Sequence, residues 1–422
     1  MVARLLAAFV LVAAAWSGSV PGVGASPVVD STHVRVRVLD RHTVTSVQVQ
    51  VQEGTLQVRI PNTPPVLRVS TGQGATVGLR TNEVVLQRGS RGLYAPTLHL
   101  TPSNTARWTL TLENGTVRTY TGGLRVEPDP NRSGALLLVN LVPIEDYVAS
   151  VVASEYPFDD DLEGSKAMAV VARTYALRAA EKFNGAYDHV DHTLSQVYRG
   201  SRAVTGTARR ATDATRGQVL THDGTLIEAV YFSSSGGHTA NHEDVWDADR
   251  VLPYLRGRPD PHDRSSPHHE WTARINRSAL LRALSQDQGI AVEGFLIGDR
   301  SDEGRVRHVD LLRPDGSKHR MQANAFRLVI SQNVSGASLK STWFDARRRG
   351  DTYIFDGRGY GHGVGLGQWG AHLMADDGAS YKEILRFYYR GVRIERIDGV
   401  QVAPPVLPVA NDRVAPPRRI GW

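Results

Sequence analysis

The chain has 422 residues, 41% of them hydrophobic and 22% charged, with a formal net charge of +6 and no cysteine. That length supports two or three domains around buried cores, and the lack of cysteine excludes thiol nucleophiles, disulfides and Cys-ligated metal centres. The mild basic excess suits an acidic cell-wall polymer and is too diffuse to indicate nucleic acid.

Residues 1–25 read as a signal peptide. Arg4 precedes an apolar run from Leu5 to Ala15, and Val23-Gly24-Ala25 offers the small residues that a signal peptidase reads. A run of 11 residues falls short of the ~20 that span a bilayer, so the expectation is an exported protein of the cell envelope, starting near Ser26. An uncleaved anchor is the alternative.

Residues 26–125 are expected to form a small all-β domain, a sandwich or barrel. Val34, Val36 and Val38 alternate with arginines, and Val47, Val49 and Val51 with glutamines, which is the period of half-buried strands. Turn signals such as Glu113-Asn-Gly recur between them. A hairpin follows from Gly122–Val126 through Asp129–Gly134 to Ala135–Leu141. Helical signals begin at Pro143, with Glu145 and Asp146 at the positive end and Val148, Val151 and Val152 at helical spacing until Pro157. A second helix is expected over 162–183, burying Ala167, Val170, Val171, Thr174 and Leu177. Strand character returns at 219–232, 305–312 and 351–356, and helices are expected at 277–287, 368–374 and 381–389. The fold class is therefore α+β: a mixed β core with a helical pair, occupying 126–396, after the all-β domain and before a Pro/Arg-rich tail at 397–422.

Four segments can carry chemistry. Glu155 in Ala153-Ser-Glu-Tyr-Pro157 ends a valine-rich helix; against an apolar wall its acid form is favoured, as a general acid requires, while a solvated helix-end glutamate is the plainer reading. Ser233-Ser-Ser-Gly-Gly-His238 lacks the Gly-x-Ser-x-Gly elbow, leaving a ligand-binding loop or an ordinary turn. From Gly357 to Gly367 glycine stands at every second position. The embedded Gly365-Leu-Gly-Gln-Trp-Gly370 matches a dinucleotide pattern without its βαβ setting, so close approach of another backbone or a ligand is the better reading. Eight of the 15 histidines lie between His189 and His269; His189 with His192, and His238 with His242, have ligand-like spacings in turn-rich sequence, and no metal is assigned to them.

Read in order, three stretches resemble the SpoIID family (stage II sporulation protein D). They are Val139–Val148 through Ala153–Pro157 to Ala169–Ala176; Gln196-Val-Tyr198 with Tyr231–Gly237, Trp246 and Pro253–Leu255; and Phe326-Arg327 with Gly359–Ala371, Ile384-Leu385 and Tyr388-Tyr389. The resemblance covers about 120–394. It implies either a lytic transglycosylase acting on peptidoglycan glycan strands or, as the alternative, a non-catalytic wall-binding protein that enhances an N-acetylmuramoyl-L-alanine amidase. The partners implied are glycan strands and a cell-wall amidase.

In lytic members the glutamate matching Glu155 is catalytic. Some relatives hold zinc through two cysteines and a histidine; here those positions read Val190, Ser195 and Leu194, which argues against that site, and no cofactor is expected. Arg173, off the apolar stripe of its helix, can reach back to orient Glu155 or form a surface salt bridge instead. Tyr175, Tyr198, Trp246 and Trp369 offer flat faces for sugar rings, with core packing as the alternative for each, and Gln196, Ser234, His362 and Gln368 offer hydrogen bonds to hydroxyl and N-acetyl groups.

Overall fold

The computed structural model describes residues 32–399 except 159, 179–182 and 184. The expected leader and most of the proline-rich tail lie outside the described residues, as does the end of the second expected helix.

The fold is α+β. The alternation seen in the first hundred residues does what it implies: along Ser46–Glu53, Val47, Val49 and Val51 are buried and Gln48, Gln50 and Gln52 face out. Two antiparallel-rich sheets result. One runs in the order Val117–Thr121, Arg107–Thr111, Ser46–Glu53, Gly74–Arg80, Glu83–Arg88, Arg91–Ala95. The other runs His189–Val190, His33–Arg37, Leu136–Pro143, Gly123–Pro128, Leu98–Pro102, Thr55–Arg59, Leu67–Ser70.

The expected boundary at 125/126 falls inside the strand Gly123–Pro128. That strand pairs with Leu98–Pro102 on one side and with Leu136–Pro143 on the other. The β region and the helices share one core, and an aromatic chain crosses between them: Trp108 to Tyr120 (5.2 Å), Tyr120 to Tyr198 (6.0 Å) and Tyr198 to Tyr147 (5.3 Å).

Helix α1 spans Ile144–Glu155, with Pro143 at its N-cap. Pro157 follows two residues beyond its end, where the chain leaves in an extended conformation. Helix α2 spans Leu162–Arg178. Asp161 caps it, accepting from the Gly164 N–H (2.7 Å), and also ties down Tyr156 (2.6 Å) and His372 (3.0 Å). The expected apolar stripe of α2 is buried, but so are Met168, Ala169, Ala172 and Arg173, so the helix is sheathed on all sides.

A second core is built within 271–355 from two three-stranded sheets and two helices, Arg277–Gln288 and Ala323–Asn333. The chain enters and leaves this lobe side by side, because Glu270 and Arg358 are partners in one ladder. After the lobe the glycine-alternating segment returns along Tyr231–Ser235. Ser234 and Tyr360 exchange backbone hydrogen bonds, and Tyr231–Phe232 pairs in parallel with Leu366–Gly367. At Gly365 (φ +78°) an added Cβ would collide with the Val230 carbonyl. Close backbone approach is what the alternating glycines serve.

Candidate active site around Glu155

Glu155 is the last residue of α1 and is partly exposed. The Val197 N–H donates to its Oε1 at 2.7 Å, the Tyr231 hydroxyl donates to its carboxylate, and the Gln368 Nε2 donates to its backbone carbonyl at 2.7 Å. Burial pushes its pKa above the ordinary glutamate value, against the opposing pull of the Val197 and Tyr231 hydrogen bonds and of Arg199. Beneath it lies a relay: Gln196 Nε2 donates to Tyr231 Oη (3.3 Å), and Tyr147 Oη donates to Gln196 Oε1 (3.1 Å). Tyr231 accepts from Gln196 and so has its own proton free for Glu155.

Several expected ligand-binding residues take other roles. Arg173 is fully buried and forms a two-pronged ion pair with Glu145 (2.6 and 3.1 Å), so it does not orient Glu155. Gln196 is fully buried as the middle of the relay, and Tyr198 is buried with its hydroxyl on Asn140 (2.8 Å); neither presents a face to a ligand. Ser234 is buried, donating to Asp263 (2.8 Å) and accepting from Ser266 (3.0 Å), in a cluster where Asp263 also takes the Ser235 and Gly236 N–H groups. His362 has both ring nitrogens spent on backbone, Nδ1 accepting from Val364 (3.1 Å) and the other bonded to the Tyr231 carbonyl. Burial and the nearby Arg327 and Arg305 lower its pKa to about 3, so it is a neutral prop beneath Trp246, whose ring lies 5.1 Å away.

Tyr175 is half-buried and within electrostatic reach of Glu155 and Glu228; burial raises its pKa. Gln368 stays partly exposed beside Glu155. Trp369 is also partly exposed and heads a ribbon of rings that the sequence did not reveal. Phe158 meets Trp369 edge-on (4.9 Å) and stacks on His372 (4.0 Å), His268 meets Trp369 (6.3 Å), and Tyr360, 39% exposed, meets His268 (5.1 Å). Lys340 ends the ribbon, with Nζ 3.1 Å from His268 Nδ1 and 5.9 Å from the Tyr360 ring centre. Behind it Arg327 donates to Asn324 and the Lys340 carbonyl, and Arg305 to the carbonyls of Ser235 and His238; all are neutral acceptors. No local pattern marks Phe158, His268 or Tyr360, because three separate segments bring them together.

The paired histidines serve structure. His189 is buried against the Ala176 carbonyl (3.0 Å), His192 contacts Asp40 (2.9 Å), His238 the Thr239 carbonyl (2.7 Å) and His242 the Arg250 carbonyl (2.7 Å). Among the described residues no three His, Asp or Glu side chains group as metal ligands would.

A family model described as SpoIID, Stage II sporulation protein, matches residues 132–222, the stretch that holds Glu155, Tyr147 and Gln196 but not Tyr231. Stage II sporulation protein D of Bacillus subtilis (strain 168) is 32% identical over 279 residues, which is 62% of this chain and 76% of that protein. An uncharacterized protein of Brachyspira hyodysenteriae is 34% identical over 282 residues, 65% of this chain and 72% of its own. The amidase enhancer of Bacillus subtilis is 28% identical over 289 residues, 58% of this chain but 39% of the enhancer. With that identity over three quarters of a stage II sporulation protein D, the chain belongs to the SpoIID family.

Proposed function

We propose that this protein is an exported lytic transglycosylase of the cell envelope that cuts peptidoglycan glycan strands, with Glu155 as its acid and then its base. The observation that carries the reading is the Glu155 carboxyl itself: partly exposed at a helix end, its pKa raised by burial, and wired from below through Tyr231 and Gln196. Protonated Glu155 gives its proton to the oxygen joining N-acetylmuramic acid to N-acetylglucosamine, and that C–O bond breaks. The resulting carboxylate takes the proton of the muramic acid's 6-hydroxyl as that oxygen bonds to the anomeric carbon. The product is a 1,6-anhydro end, no water is consumed, and Glu155 is protonated again. Because the nucleophile belongs to the same sugar, proximity replaces the second carboxylate that hydrolysing glycosidases use. General acid–base help of this kind supplies about 10²–10⁴-fold.

The ring ribbon from Phe158 to Tyr360 suits the apolar faces of sugars, and Lys340, backed by Arg327 and Arg305 whose hydrogen bonds go to neutral acceptors, suits a polymer that carries acidic groups. A second reading rests on the amidase enhancer among the relatives: a wall-binding protein that stimulates an amidase. Incubating the protein with purified glycan, with and without stem peptides, followed by mass spectrometry separates the two. Anhydro-muramoyl ends that vanish in Glu155→Gln support the lytic reading, and reducing ends would make the protein a hydrolase. Intact strands that still bind, together with faster turnover by an added amidase, would establish the accessory role instead.

A further inference from the structure

The six-stranded sheet carries, on the face turned away from its core, a groove of about 480 Å³ whose wall includes Gln50, Gln52, Thr111, Thr119 and Arg202. A bulge between Val51 and Glu53 bends the strand that supplies the glutamines. Among the described residues, the amides, hydroxyls and guanidinium of these five side chains have no hydrogen-bond partner within the chain. No carboxylate lines the groove.

One wall is the short turn Ser201–Ala203, and the segment leading to it begins at the acid. The Val197 N–H holds Glu155 Oε1, the Arg199 N–H holds Ser150 Oγ (3.2 Å), and Ser201 Oγ donates to the Thr119 carbonyl (3.3 Å). Gly200 (φ +79°) lies so close to that carbonyl that an added Cβ would collide with it. Residues 197–202 therefore form a strap, pinned at each end, from the carboxyl to the groove. Six residues reach at most about 20 Å, a span of a few sugar units.

We propose that this groove is a remote subsite for the same linear amino-sugar polymer, gripping hydroxyl and N-acetyl groups several units from the cut. The inference rests on the glycan reading of Glu155 and adds to it a second point of attachment, supplied by the β region. Neutral amides and hydroxyls match the sugar's own donors and acceptors, and Arg202 suits its acidic substituents. Two linked points of attachment raise affinity for strands long enough to reach both, without any new contact at the acid.

The test measures binding of end-labelled, peptide-free glycan to the full chain carrying Glu155→Gln, which prevents turnover. A tetrasaccharide is compared with strands several times longer. Long strands are expected to bind at least about tenfold more tightly. Adding Gln50→Ala, Gln52→Ala and Arg202→Ala together should erase that advantage and leave tetrasaccharide affinity unchanged. Thr119→Glu, which places a like charge in the groove, should do the same, and melting curves confirm that each variant is folded. Equal affinity for both lengths, or an advantage that survives the triple variant, overturns the groove while leaving Glu155 in place. Binding of neither length removes the glycan reading and the groove with it.

Discussion

Burial raises the proton affinity of Glu155, while the Val197 N–H, the Tyr231 hydroxyl and Arg199 lower it by stabilising the charged form. The reaction needs the protonated acid first, so its rate should fall as pH rises through the raised pKa. Removing a group that favours the carboxylate raises that pKa further. Tyr231→Phe should therefore move the alkaline limb of the pH–rate profile to higher pH, while lowering the maximal rate through lost positioning. A limb that stays put or moves towards acid would show that Tyr231 does not act on Glu155. Linkage gives the same residue a stability signature. Because the folded pKa lies above the unfolded one, the cost of burying the charge is absent below the ordinary glutamate pKa and grows as pH rises through the folded value. Glu155→Gln carries no such cost, so its melting temperature relative to the parent should climb with pH over that window. Spacing alone marked Glu155 only as a helix-end glutamate after an apolar face and before a proline, and the resemblance to the SpoIID family was what singled it out. Tyr231 and Val197 were not legible, since their contacts with Glu155 bridge 76 and 42 positions and leave no trace in local spacing.

At the scale of elements, periodicity located five helices, missed Gly206–Ala214, His242–Trp246 and Ala323–Asn333, and misjudged one side of α2. The valine stripe is visible in the sequence, but its opposite face is made of small residues and one arginine, a pattern that reads as surface. Alanines at those positions let neighbouring elements close in. Arg173 then becomes a buried cation, paired with Glu145 and donating to the Gln218 carbonyl (3.0 Å). Removing one member of a buried pair leaves the other charge without compensation and typically costs about 3–5 kcal/mol, whereas replacing both with apolar residues of similar volume is often near neutral. Arg173→Ala should lower unfolding free energy by about that amount, and Arg173→Met with Glu145→Leu should recover most of it. Activity per folded molecule should hardly change in either variant. A large loss of turnover in a stably folded Arg173→Met/Glu145→Leu protein would return Arg173 to the reacting site.

The whole molecule divides differently from the composition of its segments. An all-β domain is expected to end at 125, with helical signals only from Pro143, yet His33–Arg37 pairs with Leu136–Pro143 and with His189–Val190, so the β region cannot close its sheet alone. Register across a hundred residues has no local sequence signal. The real seam is at 270 and 358, between a proline-rich stretch (Gly257–Pro267) and the glycine-alternating segment that begins at Gly357, which read in sequence as loops and not as the paired strands that cross there. The principal core contains none of the residues that build the lobe's own core. Excision of 271–357, with Glu270 joined to Arg358 through a short glycine linker, should therefore leave a cooperatively melting body. A chain starting at 126 should not fold, having lost two neighbours of its central sheet. The excised protein loses Lys340 and the hydrogen bonds from Arg305 to Ser235 and His238, so its hold on glycan should weaken while Glu155 keeps its Val197 and Tyr231 partners. Circular dichroism melts of both truncations, with glycan binding of the excised form, check this. Collapse of the lobe-free protein would mean that Arg305 is a structural rivet and the seam only apparent.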